Sequence, residues 1–227
     1  MNRLQVIFTD TVGFPNRREQ LSRIATDCGA DFTAISPDDM ALGIQQATIP
    51  PDWLPMDTPY PQDHWLRAGY YWIAAIQALD IQASHYIGIE GDVHGDDDAW
   101  RHLFSAKIHD GIDLAGPFIR SHGGHHMHGC MAILSRRAVD WVAASAESTR
   151  SIHHEHAIPS TVAANGGRLA DLRKVAPKLF SRLTLRYCQP DRPDPAPLIR
   201  PAMLSHPCKW DEVEQGNSPK LTSGDLR

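Results

Sequence analysis

The chain has 227 residues, 42% of them hydrophobic and 22% charged, the proportions of a soluble globular protein long enough to bury a core without staples. Its net charge of −5, from 22 Lys and Arg against 27 Asp and Glu, argues against a nonspecific nucleic-acid binder, which needs clustered cations along the phosphates. The four cysteines are widely spaced with no C-x-x-C pair, which excludes a zinc knuckle and a disulfide framework, and no apolar run is long enough to cross a bilayer.

The first residues run directly into the strand-like Leu4–Phe8 without an apolar signal core, so the expected location is cytoplasmic. The polar loop Thr9-Asp10-Thr11-Val12-Gly13 follows at the carboxyl end of that strand. Leu21, Ile24 and Ala25 space an amphipathic helix over 17–28, with Gly29 as its C-cap, and Phe32–Ile35 is a second strand followed by Asp38 and Asp39. Six prolines between 36 and 62 forbid long regular elements and predict a surface excursion. Trp65, Gly69, Trp72, Ile73, Ile76 and Leu79 recur at helical steps over 63–79, with Arg67 and Tyr71 off the stripe.

That helix feeds Tyr86-Ile87-Gly88-Ile89-Glu90-Gly91-Asp92, an apolar run ending in two carboxylates. Two positions apart, Glu90 and Asp92 share one face of an extended chain, and hard divalent cations prefer such oxygen ligands. Gly88 marks a close approach by another backbone or a ligand. The run Asp96-Asp97-Asp98 opens an acidic helix start, Ile112–Phe118 and Met127–Leu134 are strands, and 136–146 is a helix. A further helix is predicted within 151–165, interrupted or begun near Pro159 and ended by Gly166-Gly167, with a last strand at 168–172. Beyond 173 the chain is basic and then proline-rich, an extended tail wrapping the domain, and 210–227 is expected to be a flexible end.

Alternating helices and strands predict an α/β architecture. The order of four landmarks resembles the GT-A class of nucleotide-sugar glycosyltransferases: the first strand and loop at 4–13, the helix feeding Glu90-Gly91-Asp92, the segment His128-Gly129-Cys130-Met131, and Leu204-Ser205-His206-Pro207-Cys208-Lys209. The resemblance implies a single GT-A-like (Rossmann-like) domain over 1–209 with a mixed, mostly parallel sheet flanked by helices. Residues 1–100 would form the donor nucleotide and metal half, and 101–209 the acceptor half with a closing tail. It implies a metal-dependent transfer from a UDP- or GDP-sugar to a carbohydrate or glycoconjugate acceptor, in bacterial-type glycan or glycoconjugate synthesis.

In that class an acidic motif holds Mn2+ or Mg2+ against the donor diphosphate, and the matching positions are Asp92 and Glu90, with Glu standing in the first place. His206 matches a late histidine that completes the metal site, and Lys209 would point at a phosphate. Thr9, Asp10, Thr11, Asp38 and Arg67 occupy donor-side positions. Gly129 lies where a small residue lets the acceptor sugar approach, with His125, His126 and His128 as its hydrogen-bonding neighbours. Glu155 matches the acidic residue that serves as general base in an inverting enzyme or orients the acceptor in a retaining one.

Two other readings compete. One is a non-catalytic nucleotide-sugar or carbohydrate-binding protein of the same fold. The other is a zinc hydrolase built from the histidines at 122–128 and 153–156, whose spacing lacks the second histidine of an H-E-x-x-H helix, since position 158 is Ile158.

Overall fold

The protein is described here by a computed structural model covering residues 3–10, 15–36, 45–46, 62–105, 110–117, 119, 125–149, 152–180, 182–183 and 204–206. Strand β1 (Leu4–Thr9) is buried along its whole length, its polar Gln5 and Thr9 included. Val6 and Phe8 enter one packed layer and Ile7 the other, the pattern of a strand covered on both faces. Helix α1 (Pro15–Asp27) follows, then β2 (Asp31–Ser36), the two-residue β3 (Gln45–Gln46), α2 (Gln62–Ala78) and β4 (His85–Glu90). The second half supplies α3 (Asp97–Ser105), β5 (Leu114–Gly116), β6 (Met131–Ser135), α4 (Arg136–Ala144), α5 (Ala146–Thr149), α6 (His154–Ala164) and β7 (Leu169–Asp171). Two short helices, α7 (Leu172–Val175) and α8 (Pro177–Phe180), precede β8 (Arg182–Leu183) and β9 (Ser205–His206).

Seven strands form one sheet in the order β3-β2-β1-β4-β6-β5-β7, so residues from both halves of the chain share a single sheet. Strands β1, β2, β3 and β4 are parallel, β6 runs antiparallel to both β4 and β5, and β5 is parallel to β7. The fold is therefore the mixed, mostly parallel α/β sheet expected from the sequence. Leu21, Ile24, Trp100 and Leu103 from α1 and α3 cover one face, and Trp72, Ile73, Val139, Ile158 and Val162 from α2, α4 and α6 cover the other. Among the described residues no helix is long and apolar enough to cross a membrane.

Several local expectations hold. Gly29 and Gly166 adopt positive φ (73° each) just beyond α1 and α6, where a left-handed residue closes a helix. Asp96 Oδ1 accepts the Ala99 amide at 2.8 Å, so the acidic run begins with a cap.

Others are corrected. Strand β6 starts at Met131 rather than 127, because Gly129 and Cys130 form a turn. Helix α6 begins at His154, whose preceding His153 Nδ1 accepts the Glu155 amide at 3.2 Å, and Pro159 lies inside it rather than at its start or at a break. The basic segment after 173 opens with two helical turns, whereas the proline-rich stretch expected to extend lies outside the described residues, as does most of the 36–62 excursion apart from the two-residue edge strand β3. Residues 207–227 lie outside the described residues.

Candidate functional site

The parallel strands bring the carboxyl ends of β1 and β4 to one edge of the sheet, with Thr9 paired to Glu90. Because β6 is antiparallel, its start reaches the same edge, and the Glu90 amide donates to the Cys130 carbonyl at 2.9 Å. Open α/β sheets bind ligands at such an edge.

Strand β4 ends at Glu90, and Gly91-Asp92 form a turn closed by the Val93 amide on the Glu90 carbonyl at 3.0 Å. The shared-face argument for Glu90 and Asp92 is thereby corrected, since strand alternation stops at Glu90. What shapes the turn is Arg17, a guanidinium 1% exposed in the first turns of α1, whose Nη1 donates to the Gly91 carbonyl between the two acids. The sequence reading passed over Arg17, which looks like one more solvated charge on an amphipathic helix.

Glu155 enters from α6. Its Oε1 accepts the Gly129 amide at 2.6 Å and lies 3.2 Å from His128 Nδ1, while Oε2 is 3.4 Å from His126 Nε2 and 3.9 Å from His153 Nδ1. Burial raises the cost of its charge, but the His128 hydrogen bond, the nearby His154 and the Gly129 amide outweigh that and bring the carboxyl down to about 2. Burial also holds His153 below the ordinary imidazole value, with the charges of His156 and His126 adding and Glu155 opposing.

Pro159 helps to place this group. A helix would spend the Glu155 carbonyl on the amide of residue 159, but proline has none. The carbonyl instead accepts the Met127 amide at 2.9 Å, and the His128 amide donates to the Pro117 carbonyl at 2.8 Å. The histidine loop is thus tethered to α6 on one side and to the end of β5 on the other.

The charges of three carboxylates bear on one side chain. Burial pushes the Cys130 thiol well up, and the charges of Glu90, Asp92 and Glu155 add to it in that order. The described acidic site is therefore Glu90, Asp92 and Glu155 about the Gly129-Cys130 turn.

The glycines have reasons of their own. A Cβ on Gly129 would run into His154 Nε2 and come 3.2 Å from Glu155 Oε1, so the missing side chain admits these two residues. The opposite flank of His154 is covered by Gly69 of α2, where a Cβ would lie 2.8 Å from its Cδ2. Gly88 admits the Trp72 indole rather than a backbone or a ligand, and that indole donates from Nε1 to Thr9 Oγ1 at 2.8 Å.

Of the donor-side positions, Thr9 is 1% exposed with its hydroxyl on Trp72, and Asp10 is buried at the strand end with its amide on the Ile35 carbonyl at 2.9 Å. Arg67 lies in α2, with its side chain outside the described residues, and Thr11, Asp38 and Lys209 fall outside them altogether. The backbone of His206 pairs with Leu183 in β8, and its side chain is outside the described part. Two residues earlier, Leu204 is buried and donates its amide to the Leu179 carbonyl at 2.9 Å. A Cβ on Gly95 would come 2.6 Å from Leu204 Cδ2, so the tail returns beside the segment that follows Asp92.

His125 is half-buried with its carbonyl 3.3 Å from His156 Nδ1, and the His126 and His156 rings lie 4.6 Å apart. Among the described residues no three His, Cys, Asp or Glu side chains form a group able to hold a metal ion, and His126 and His128 are instead turned to Glu155.

This architecture was compared with solved structures. A glycosyltransferase involved in the glycosylation of the major capsid of PBCV-1 superposes with a TM-score of 0.50 at 11% identity, covering 77% of this chain and 88% of that one. The chain shares that protein's fold. The inositol-1-phosphate CTP transferase from T. maritima gives a TM-score of 0.40 at 8% identity, over 75% of this chain and 86% of that chain. The glycosyltransferase GlyE of Streptococcus pneumoniae TIGR4 gives 0.40 at 13% identity, over 77% of this chain and 46% of that chain. No protein-family profile and no curated protein sequence matches the chain.

Proposed function

We propose that the chain is a metal-dependent glycosyltransferase that moves a sugar from a nucleoside-diphosphate sugar to an acceptor hydroxyl. The observation that carries this reading is the gathering of Glu90, Asp92 and Glu155 around Cys130 at the ligand-binding edge of a glycosyltransferase fold. The transfer releases a nucleoside diphosphate with growing negative charge, and a divalent cation supplies the means to stabilise it.

Asp92 and Glu90 suit Mn2+ or Mg2+, being hard oxygen donors on either side of the glycine whose carbonyl Arg17 holds. His206 is the proposed third ligand, supported by the return of Leu204 to Gly95. A UDP- or GDP-sugar is the proposed donor, bound near the β1 end with Asp10, Thr11, Asp38, Arg67 and Lys209. A carbohydrate or glycoconjugate in bacterial-type glycan synthesis is the proposed acceptor, on the side of Gly129 and the histidines, and the expected setting is the cytoplasm.

The test is a screen of UDP- and GDP-sugars with Mn2+, read as release of nucleoside diphosphate. Release that is lost in Asp92→Ala, with circular dichroism and Tm unchanged, supports the reading. Donor binding without turnover across a full acceptor panel would assign the chain to the non-catalytic class. His206→Ala is expected to weaken Mn2+-dependent donor binding, and an unchanged affinity would remove the tail from the site.

A further inference from the structure

Transfer to a hydroxyl needs a group that takes the hydroxyl proton, and the most efficient one has basicity matched to the working pH. Glu155 is poorly matched. One of its oxygens already accepts the Gly129 amide at 2.6 Å and faces His128 Nδ1 at 3.2 Å, and the other faces His126 and His153. With the His128 hydrogen bond, the nearby His154 and the Gly129 amide outweighing burial, its carboxyl is brought down to about 2 and takes up a proton too weakly to act as base near neutrality.

The same contacts are what an orienting carboxylate provides. A carboxylate on one ring nitrogen fixes the tautomer and leaves the lone pair on the other, and it stabilises the imidazolium that forms when that nitrogen is protonated. His153 does not suit the role, because its Nδ1 accepts the Glu155 amide and therefore carries no proton to share with the carboxylate. His126 faces Glu155 at 3.4 Å, a longer approach than that of His128, and belongs to the same loop. His128 has the hydrogen-bonding contact, its backbone is held by the Pro117 carbonyl, and it adjoins Gly129 at the edge where the acceptor side begins.

Resting on the transferase reading above, we propose that the proton acceptor is the imidazole of His128, with Glu155 as its positioning residue. In the step itself the acceptor O–H proton passes to His128 Nε2, and the acceptor oxygen forms its bond to the anomeric carbon. The bond from that carbon to the phosphate oxygen breaks, and its electron pair leaves with the nucleoside diphosphate. One displacement inverts the anomeric centre. The groups around the pair are His153 just before α6, His154 and His156 within it, His126 of the same loop, and Glu90 and Asp92 across Cys130.

The experiment uses the full chain with Mn2+ and the nucleotide sugar and acceptor that the wild type turns over. His128→Ala and His128→Asn are both expected to lose transfer by about 100-fold or more while donor affinity changes little. Asn keeps a donor toward Glu155 but has no basic nitrogen, so a purely structural role predicts that it retains activity. Added imidazole is expected to restore part of the rate to His128→Ala. Glu155→Gln is expected to retain more activity than His128→Ala and to alter the acid limb of kcat/KM, which an imidazole sets rather than a carboxylate. In long-range 1H–15N spectra His128 is expected as the Nδ1–H tautomer, an assignment lost in Glu155→Gln.

An active wild type whose His128→Asn variant keeps full transfer, with Glu155→Gln inactive, would overturn the proposal and make Glu155 the base. Retention of anomeric configuration would overturn it as well. A wild type that releases no nucleoside diphosphate from any donor is a different failure, because it removes the transferase reading itself and this role with it.

Discussion

Two carboxylates at opposite edges of one sheet, Asp113 buried and Glu155 half-buried, are both brought down to about 2, by different means. Asp113, just before β5, is held chiefly by Arg137, against the cost of burial, with the Arg168 amide at 2.9 Å and Ser135 Oγ at 2.8 Å adding. Its main partner is a guanidinium that stays charged at every accessible pH, so it makes a lock. Glu155 is held instead by an amide and by imidazoles, side chains whose charge is not permanent. A low carboxyl pKa by itself does not separate a structural acid from a functional one. The chemistry of the partners does.

The sharpest way to break the contrast is Gly129→Ala, because the added methyl meets His154 and Glu155 directly. Overpacking there is expected to cost about 3 kcal/mol in urea unfolding and to disturb the acidic site. A loss under about 0.5 kcal/mol would mean that His154 can step aside.

Asp113→Ala should come next, at about 2 kcal/mol, since it removes charge-assisted bonds and strands the Arg168 amide. Donor binding is expected to stay within about twofold, as for an independent distant site. A larger change in binding would couple the two edges.

The two edges should also part company as pH falls. Both carboxyls are depressed, so their stabilisation is present above the ordinary carboxylate range and disappears as pH drops toward about 2. His153 is depressed too, and for an imidazole this favours the neutral form. Its contribution is present above about pH 6.5 and is lost as pH falls through the lowered folded value. Hydrogen exchange is expected to show the α6 start loosening at a higher pH than the Asp113 edge, and simultaneous loosening would contradict it.

The smallest effect is expected for Pro159→Ala. Restoring an amide at 159 lets the Glu155 carbonyl bond within α6 and compete with Met127, which is expected to speed exchange of the Met127 amide with under about 1 kcal/mol change in global stability. Unchanged exchange at Met127 would show that the tether does not depend on the proline.

Much of the frame was legible. Apolar runs of both parities marked β1 and β4 as doubly covered strands, helical spacing marked α1 and α2, and glycines at the helix ends marked their stops. Glu90, Asp92 and Glu155 were all picked out by position in the chain. Less legible were the causes. Arg17 looks like a surface charge, Asp113 is one more polar residue in its strand segment, and Pro159 looks like a helix start because the Glu155 carbonyl that it leaves without a helical partner is met by Met127, far away in sequence. Gly88 and Gly129 were rightly taken as close approaches, but what approaches is Trp72 in one case and His154 with Glu155 in the other.

Sequence alone determined the α/β alternation, the order of the strands along the chain and the acids that end them, because these depend on local periodicity and on residue type. Tertiary structure decided which groups meet. The antiparallel insertion of β6 beside β4 placed Gly129 and Cys130 between the acid turn and α6. Contacts between distant segments then fixed that Asp113 meets a guanidinium and Glu155 a group of imidazoles, and neither propensity nor spacing encodes those contacts.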